Sequence, residues 1–192
     1  MAPQLHDVVT YLEMQARPEA RRIPAPREKL ALLRAENCTV SFYRYLYNTV
    51  GEPWLWFERR LVADAALAAE IAKVSTEIFV LHVGGVPAGF FELDVAPPRE
   101  TELRYFGLVP DFIGRGLGSF LLQAAIDRAW SRALDRFWVH TCTYDHPRAL
   151  PLYQRAGFAV YARRKVSFED PRLRGILPRT LSHPLLAPLG SG

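Results

Sequence analysis

The chain has 192 residues, 49% of them hydrophobic and 23% charged, with a formal net charge of +4 at pH 7. This is ordinary globular composition, long enough for one domain with a sizeable core. The mild positive charge comes without a basic stripe, which argues against nucleic acid, and no stretch approaches the ~20 apolar residues of a membrane span.

Met1–His6 lacks the apolar run of a signal peptide, so a cytoplasmic protein is expected. Val8–Met14 reads as a strand, rich in β-branched and aromatic residues. Arg17–Arg27 is interrupted by Pro18, Pro24 and Pro26 and reads as a connector. Pro26 or Arg27 then opens an expected helix over Glu28–Ala35. Val40–Phe57 carries Phe42, Tyr43, Tyr45, Tyr47, Trp54, Trp56 and Phe57. Phe42, Tyr45 and Leu46 have helical spacing, and Gly51-Glu52-Pro53 reads as a turn. These rings are either core or the wall of a substrate pocket. Arg60–Lys73 reads as an amphipathic helix. Glu77–Val83 and Val86–Val95 flank Gly84-Gly85 as a hairpin, followed by a loop at Pro97–Glu100.

Leu103–Val109 is the next strand, ended by Pro110. After it, Gly114, Gly116 and Gly118 alternate just ahead of a helix over Phe120–Trp130. Glycines there let backbone N–H groups approach an anion, with the positive end of the helix dipole behind them. Alone, the turn does not choose between a nucleotide, a sugar phosphate and a packing role. Arg136–Thr143 reads as a strand, so strand, helix and strand form a βαβ unit with parallel strands. Asp145–Arg148 is a turn, Ala149–Ala156 a helix stopped by Gly157, and Phe158–Phe168 a last strand. From Pro171 the chain is proline-rich and without a period, a tail that wraps the surface or frays. Residues 1–170 are thus expected as one domain and 171–192 as its tail.

Two segments together resemble the GNAT superfamily of acyl-CoA-dependent N-acetyltransferases. Leu108-Val109-Pro110 with Arg115-Gly116-Leu117-Gly118 is similar to the family's Val-x-Pro strand end and Gln/Arg-x-x-Gly-x-Gly/Ala turn. His146-Pro147-Arg148-Ala149 through Tyr153 to Gly157-Phe158 resembles its Asn-x-x-Ala-x-x-x-Tyr-x-x-x-Gly-Phe. Two positions depart: Ile113 replaces the leading Gln/Arg, and His146 the Asn. The resemblance implies an α/β (α+β) fold, a mixed, mostly antiparallel sheet flanked by helices, built around the βαβ unit. It implies transfer of an acetyl group from acetyl-CoA to a primary amine, by direct attack in a ternary complex; no metal is expected, since the histidines lack metal-ligand spacing. A small-molecule amine is the expected acceptor, and a homodimer is a family expectation. The rival reading is a non-catalytic acyl-CoA-binding or sensing module.

The resemblance also assigns residues. Leu108 and Val109 would pair by backbone with the pantetheine arm. Ile113, Gly114, Arg115, Gly116, Leu117, Gly118 and Ser119 would surround the pyrophosphate, with His146 as a donor to the cofactor. Tyr153 would face the sulfur, where a phenol of free pKa near ~10 protonates a leaving thiolate. Glu102 and Glu92 are the two candidates for general base. Cys142 and His140 share a strand face and read as packing, and His6, His82 and His183 form no metal-ligand set.

Overall fold

The structure, a computed structural model, describes residues 4–19, 26–95 and 99–189. Parts of the Arg17–Arg27 connector and of the Pro97–Glu100 loop lie outside the described residues. The strands are β1 (Gln4–Met14), β2 (Leu30–Arg34), β3 (Thr76–Val83), β4 (Val86–Asp94), β5 (Glu100–Leu108), β6 (Arg136–Thr141) and β7 (Ala159–Glu169). The helices are α1 (Val40–Gly51), α2 (Asp64–Ile71), α3 (Leu117–Ala129) and α4 (Ala149–Ala156). All seven strands join one sheet in the order β2-β3-β4-β5-β6-β1-β7. Every neighbouring pair is antiparallel except β5–β6. This is the mixed, mostly antiparallel sheet with a central parallel βαβ unit that the sequence leads one to expect.

Each face of the sheet carries its own core layer. Leu117, Leu121, Leu122, Ala125 and Ile126 of α3 pack with Tyr153 of α4 against Phe91, Leu93, Leu103, Phe137 and Val139. On the other face Tyr43, Leu46, Tyr47 and Val50 of α1 pack with Leu67 and Ile71 of α2 against Ile78, Val80 and Phe90. The β3–β4 hairpin turns at Gly84 and Gly85, both at positive φ (58° and 88°), as a tight two-residue turn requires.

Three expectations are corrected. The helix over Glu28–Ala35 is instead strand β2. Leu30–Arg34 pairs with β3 over five positions, and Leu30 and Leu32 pack inward on the core, so edge pairing overrides helix-favouring composition. The α1 helix presents Tyr43, Leu46, Tyr47 and Val50 to the core, and Tyr45 faces outward. The Arg60–Lys73 segment is shorter as a helix: a single turn at Glu58–Arg60 precedes α2.

After β7 the described residues form no further regular element, yet the segment is tied down. Arg172 is almost fully buried, 2.7 Å from Asp170, and donates to the carbonyls of Leu181 (3.3 Å) and Ala187 (3.1 Å). Leu177 packs with Leu55 and Tyr144, and His183 Nε2 lies 3.0 Å from the Tyr144 carbonyl. The tail therefore braces the residues that wall one end of the cleft described next.

Candidate active site

The cleft exists because β5 and β6 part company. They pair in parallel over Glu100–Leu103 and Arg136–Val139, and beyond that β6 stays with β1 while β5 stays with β4. The gap opens at Arg104 and His140. It forms a cavity of about 510 Å³ lined by β5 from Leu103 to Leu108, the glycine turn, the end of β6 and α4.

A bulge shapes the β5 wall. Glu92 of β4 faces Tyr105 while Leu93 faces Leu103, so Arg104 is an extra residue. Strict alternation would put Glu102, Arg104, Phe106 and Leu108 on one face. Instead Phe106 and Leu108 join Leu103 on the α3 side, and Tyr105 lies on the α1 side. Gly107 is also on that side, where a Cβ would come within 2.4 Å of Val50. At the end of β5 the Val109 N–H donates to the Ala88 carbonyl and the Val109 carbonyl accepts from Phe112 N, each at 2.9 Å. Both backbone groups of Val109 thus already have partners within the protein. The ladder's alternation turns the backbone groups of Leu108 and Phe106 to the open edge instead.

The glycine turn ends on the first turn of α3. Gly114 (φ 87°) and Gly116 (φ 80°) adopt the left-handed conformation that favours glycine, and no atom lies within 4 Å of where a Cβ would stand on either. Gly116 is the N-cap residue; no side chain caps the helix, and its first turn holds no acidic residue. Ile113, Gly114, Gly116, Gly118 and Ser119 line the cavity, so unpaired N–H groups and the positive helix end face it. Two turn residues do otherwise. The Leu117 side chain is fully buried in the core. Arg115 leaves the cavity: its Nε lies 2.8 Å from Glu28, its Nη2 also bonds that carboxylate, and its guanidinium covers the Phe112 ring at 4.9 Å. Neither side chain lines the cavity.

The opposite wall comes from the β6–α4 turn. Asp145 accepts from Thr141 Oγ1 (2.7 Å), Cys142 N (2.9 Å) and Trp56 Nε1 (3.2 Å), which locks the turn and ties it to the aromatic segment. The ring of His146 meets Trp54 edge-on at 4.8 Å, and its Nδ1 accepts from Arg148 N at 3.0 Å, which leaves the ring proton on Nε2. Burial, then the Arg148 charge, pushes His146 below the usual histidine value, so it is a neutral donor. Burial and Asp145 push the Cys142 thiol up, the opposite of an activated nucleophile.

Tyr153 lines the cavity with Phe106 at 6.0 Å and Phe158 at 5.9 Å between ring centres. Burial and the Asp145 charge raise its phenol well above the ordinary tyrosine value, so it stays protonated at any working pH.

The two candidate carboxylates separate. Glu92 is fully buried on the α1 side, where Tyr43 donates to Oε2 at 2.6 Å and Arg59 to Oε1 at 3.0 Å. It does not line the cavity, and its oxygens are already engaged. Glu102 sits one step behind the cavity wall, with Oε1 3.4 Å from His140 Nδ1. His140 itself lines the cavity. The Glu102 hydrogen bond and charge raise its pKa against the effect of burial. Sequence reasoning took His140 for packing and missed Glu58, which also lines the cavity. The only sequence signal for Glu58 was its place directly after Trp54, Trp56 and Phe57. Among the described residues no cluster of His, Cys, Asp or Glu is arranged to hold a metal, and no helix is long and apolar enough to cross a membrane.

Comparison with known proteins agrees with this geometry. A protein named mycothiol acetyltransferase from Acidothermus cellulolyticus is 38% identical over 85 residues, 44% of this chain and 24% of that protein. Another of that name, from Clavibacter michiganensis subsp. michiganensis, is 34% identical over 113 residues, 59% of this chain and 31% of that protein. The matched segments thus span only a quarter to a third of these relatives. A GCN5-related N-acetyltransferase from Sphaerobacter thermophilus shares the fold with a TM-score of 0.58 at 17% identity, over 84% of this chain and 50% of that one. An IAA acetyltransferase from Bacillus cereus does so with a TM-score of 0.52 at 18% identity, over 70% and 79%. The family model for the acetyltransferase (GNAT) family matches residues 40–158, which run from α1 through the glycine turn to the end of α4. With most of its length matched, and the match containing every wall of the splayed-strand cleft but β1 and β7, the chain belongs to the GNAT acetyltransferase family.

Proposed function

We propose that this protein transfers an acetyl group from acetyl-CoA to a primary amine of a small acceptor, by direct attack within a ternary complex. One observation carries the reading: a single cleft brings an uncapped helix end, an open strand edge, a protonated buried phenol and a carboxylate-backed imidazole to the same space. The cleft suits a pyrophosphate-bearing thioester, because the space over Gly114 and Gly116 is free of side chains. The N–H groups of the α3 first turn hold the phosphates, Leu108 offers its backbone to the pantetheine arm, and His146 donates through Nε2. The acceptor amine must lose a proton to attack. His140 takes it through Nε2, with Glu102 fixing Nδ1–H and orienting the ring. Tyr153 protonates the departing thiolate. Acceptor and thioester held side by side supply the remaining advantage through positioning.

Acetyl-CoA at about 100 times its Kd is expected to stabilise the protein by about 2.7 kcal/mol, and amine-dependent release of free thiol should follow. A melting temperature that ignores acetyl-CoA sinks the proposal. Binding without thiol release from any amine of a broad panel makes the protein a binding module instead.

The base assignment has its own check. The Glu102 carboxylate favours the imidazolium of His140, so Glu102→Gln lowers the proton affinity of His140. The acid limb of kcat/KM against pH should therefore move to lower pH in Glu102→Gln. A limb that stays in place removes this pair from the mechanism.

A further inference from the structure

The amine-binding end of the cleft has a charge pattern of its own. Asp7, Glu58 and Asp145 line it, and Glu102 stands behind His140. The cations that line the same cavity are Arg104, Arg148 and Arg155. Arg104 is engaged away from the acceptor, its Nη1 2.7 Å from Asp94 and 3.2 Å from Glu70. Arg148 and Arg155 belong to the α4 side, whose Leu152 packs against Gly118 of the glycine turn. Asp7 and Asp145 are partly spent on the Thr143 N–H and on the turn described above. Glu58 is the exposed carboxylate of the set, with a long contact from Tyr47 Oη at 3.4 Å.

Around this charge the walls are rings. Trp56 lies 5.2 Å from Tyr105 and 5.4 Å from Tyr47, and Trp54, Phe57 and Tyr144 complete the lining. A low-dielectric wall strengthens the field of the carboxylates toward the space between them. Such a site attracts a cation and gives ring or alkyl surface a partner through apolar and cation–π contact. The same carboxylates repel an acceptor's own anionic group.

Building on the acetyl-transfer reading above, we infer that the acceptor is a cationic primary amine on a flat or apolar frame with no carboxylate or phosphate, and that Glu58 reads its positive charge. The matched test pairs amines that differ in one group. Tryptamine and 2-phenylethylamine are compared with tryptophan and phenylalanine, which add a carboxylate, and with glucosamine, which replaces the apolar frame by a polar one. Free-thiol release with acetyl-CoA gives kcat/KM for each. The ring amines should exceed their amino-acid partners by about 100-fold, since an unpaired like charge at a recognition site costs several kcal/mol. Glu58→Gln should raise KM for the ring amines about tenfold. It should leave the acetyl-CoA-induced rise in Tm unchanged, and Glu58→Asp should recover part of the loss. Preference for the amino acids or for glucosamine overturns the inference and leaves acetyl transfer standing. So does an unchanged KM in Glu58→Gln, or thiol release with none of these amines while acetyl-CoA still binds. Failure to bind acetyl-CoA overturns the underlying reading, and this inference with it.

Discussion

Replacing Tyr153 with phenylalanine should lower the rate of acetyl transfer by about 100-fold or more while leaving the affinity for acetyl-CoA within about twofold. The hydroxyl is the sole atom lost, so the packing of the ring against Phe106 and Phe158 is kept and the fold should be undisturbed. An acid for a leaving thiolate has to be protonated when the carbon–sulfur bond breaks. Burial and the neighbouring Asp145 hold Tyr153 in that state. The same features make it a poor base, which separates its task from that of His140. Single-turnover measurement is the right assay, because slow product release would hide the loss. If the single-turnover rate of Tyr153→Phe matches wild type, the thiolate leaves unaided and Tyr153 only packs. If the variant loses acetyl-CoA affinity in step with rate, the hydroxyl acts in binding rather than in the step itself.

How far the sequence foretold this site follows from which features are local. The glycine turn, the hairpin at Gly84-Gly85 and the Gly157 stop were legible because each is set by backbone conformations that few residues tolerate, and all three glycine sites have positive φ. Helix α4 was legible from the turn before it and its Gly157 stop. The seven aromatics of Val40–Phe57 were not divisible, because burial of a helix face depends on which partners dock against it. Tyr43 went to the core against Phe90, whereas Trp56 went to the cavity wall. Strand β2 was hidden because Leu30–Arg34 has helical composition and is a strand through its partner β3. Choosing between Glu92 and Glu102 was beyond alternation, since the extra residue Arg104 reverses the facing of everything after it on β5. His140 was seen as packing because its neighbour in space, Glu102, is 38 positions away in the chain. Nothing in the pattern signalled that Arg59, in a charged Glu58-Arg59-Arg60 run, would be buried.

That buried arginine leads to the largest expected change in stability. Arg59→Met should cost about 3–5 kcal/mol, the usual result of leaving a buried charge without its partner, and lower Tm by about 10 °C for a domain of this size. Arg59 lies 3.0 Å from Glu92 and 3.9 Å from Glu70, with its guanidinium 5.8 Å from the Tyr43 ring centre and 5.5 Å from that of Tyr105. Once it is gone, the Glu92 carboxylate keeps only the Tyr43 hydroxyl in a fully buried position. Burial already raises the Glu92 pKa, and Arg59 is the strongest opposing influence. Without it, the folded-state pKa of Glu92 rises further above the unfolded value. The native state then binds the extra proton, so the variant should regain stability as pH falls through the folded-state value and lose it as pH rises. A loss that stays constant with pH would show that Glu92 is not the stranded charge. Arg59→Met with Glu92→Leu should recover much of the stability, because an apolar pair removes both desolvation costs. The two variants also separate stability from function. Arg59 pins the Glu52–Arg60 segment to the sheet, and that segment supplies Trp54, Trp56, Phe57 and Glu58 to the cleft. The double variant should therefore melt near wild type yet keep a raised KM for the amine and an unchanged Kd for acetyl-CoA. An unchanged amine KM in that stable double variant would mean that the segment holds its place without the buried ion pair.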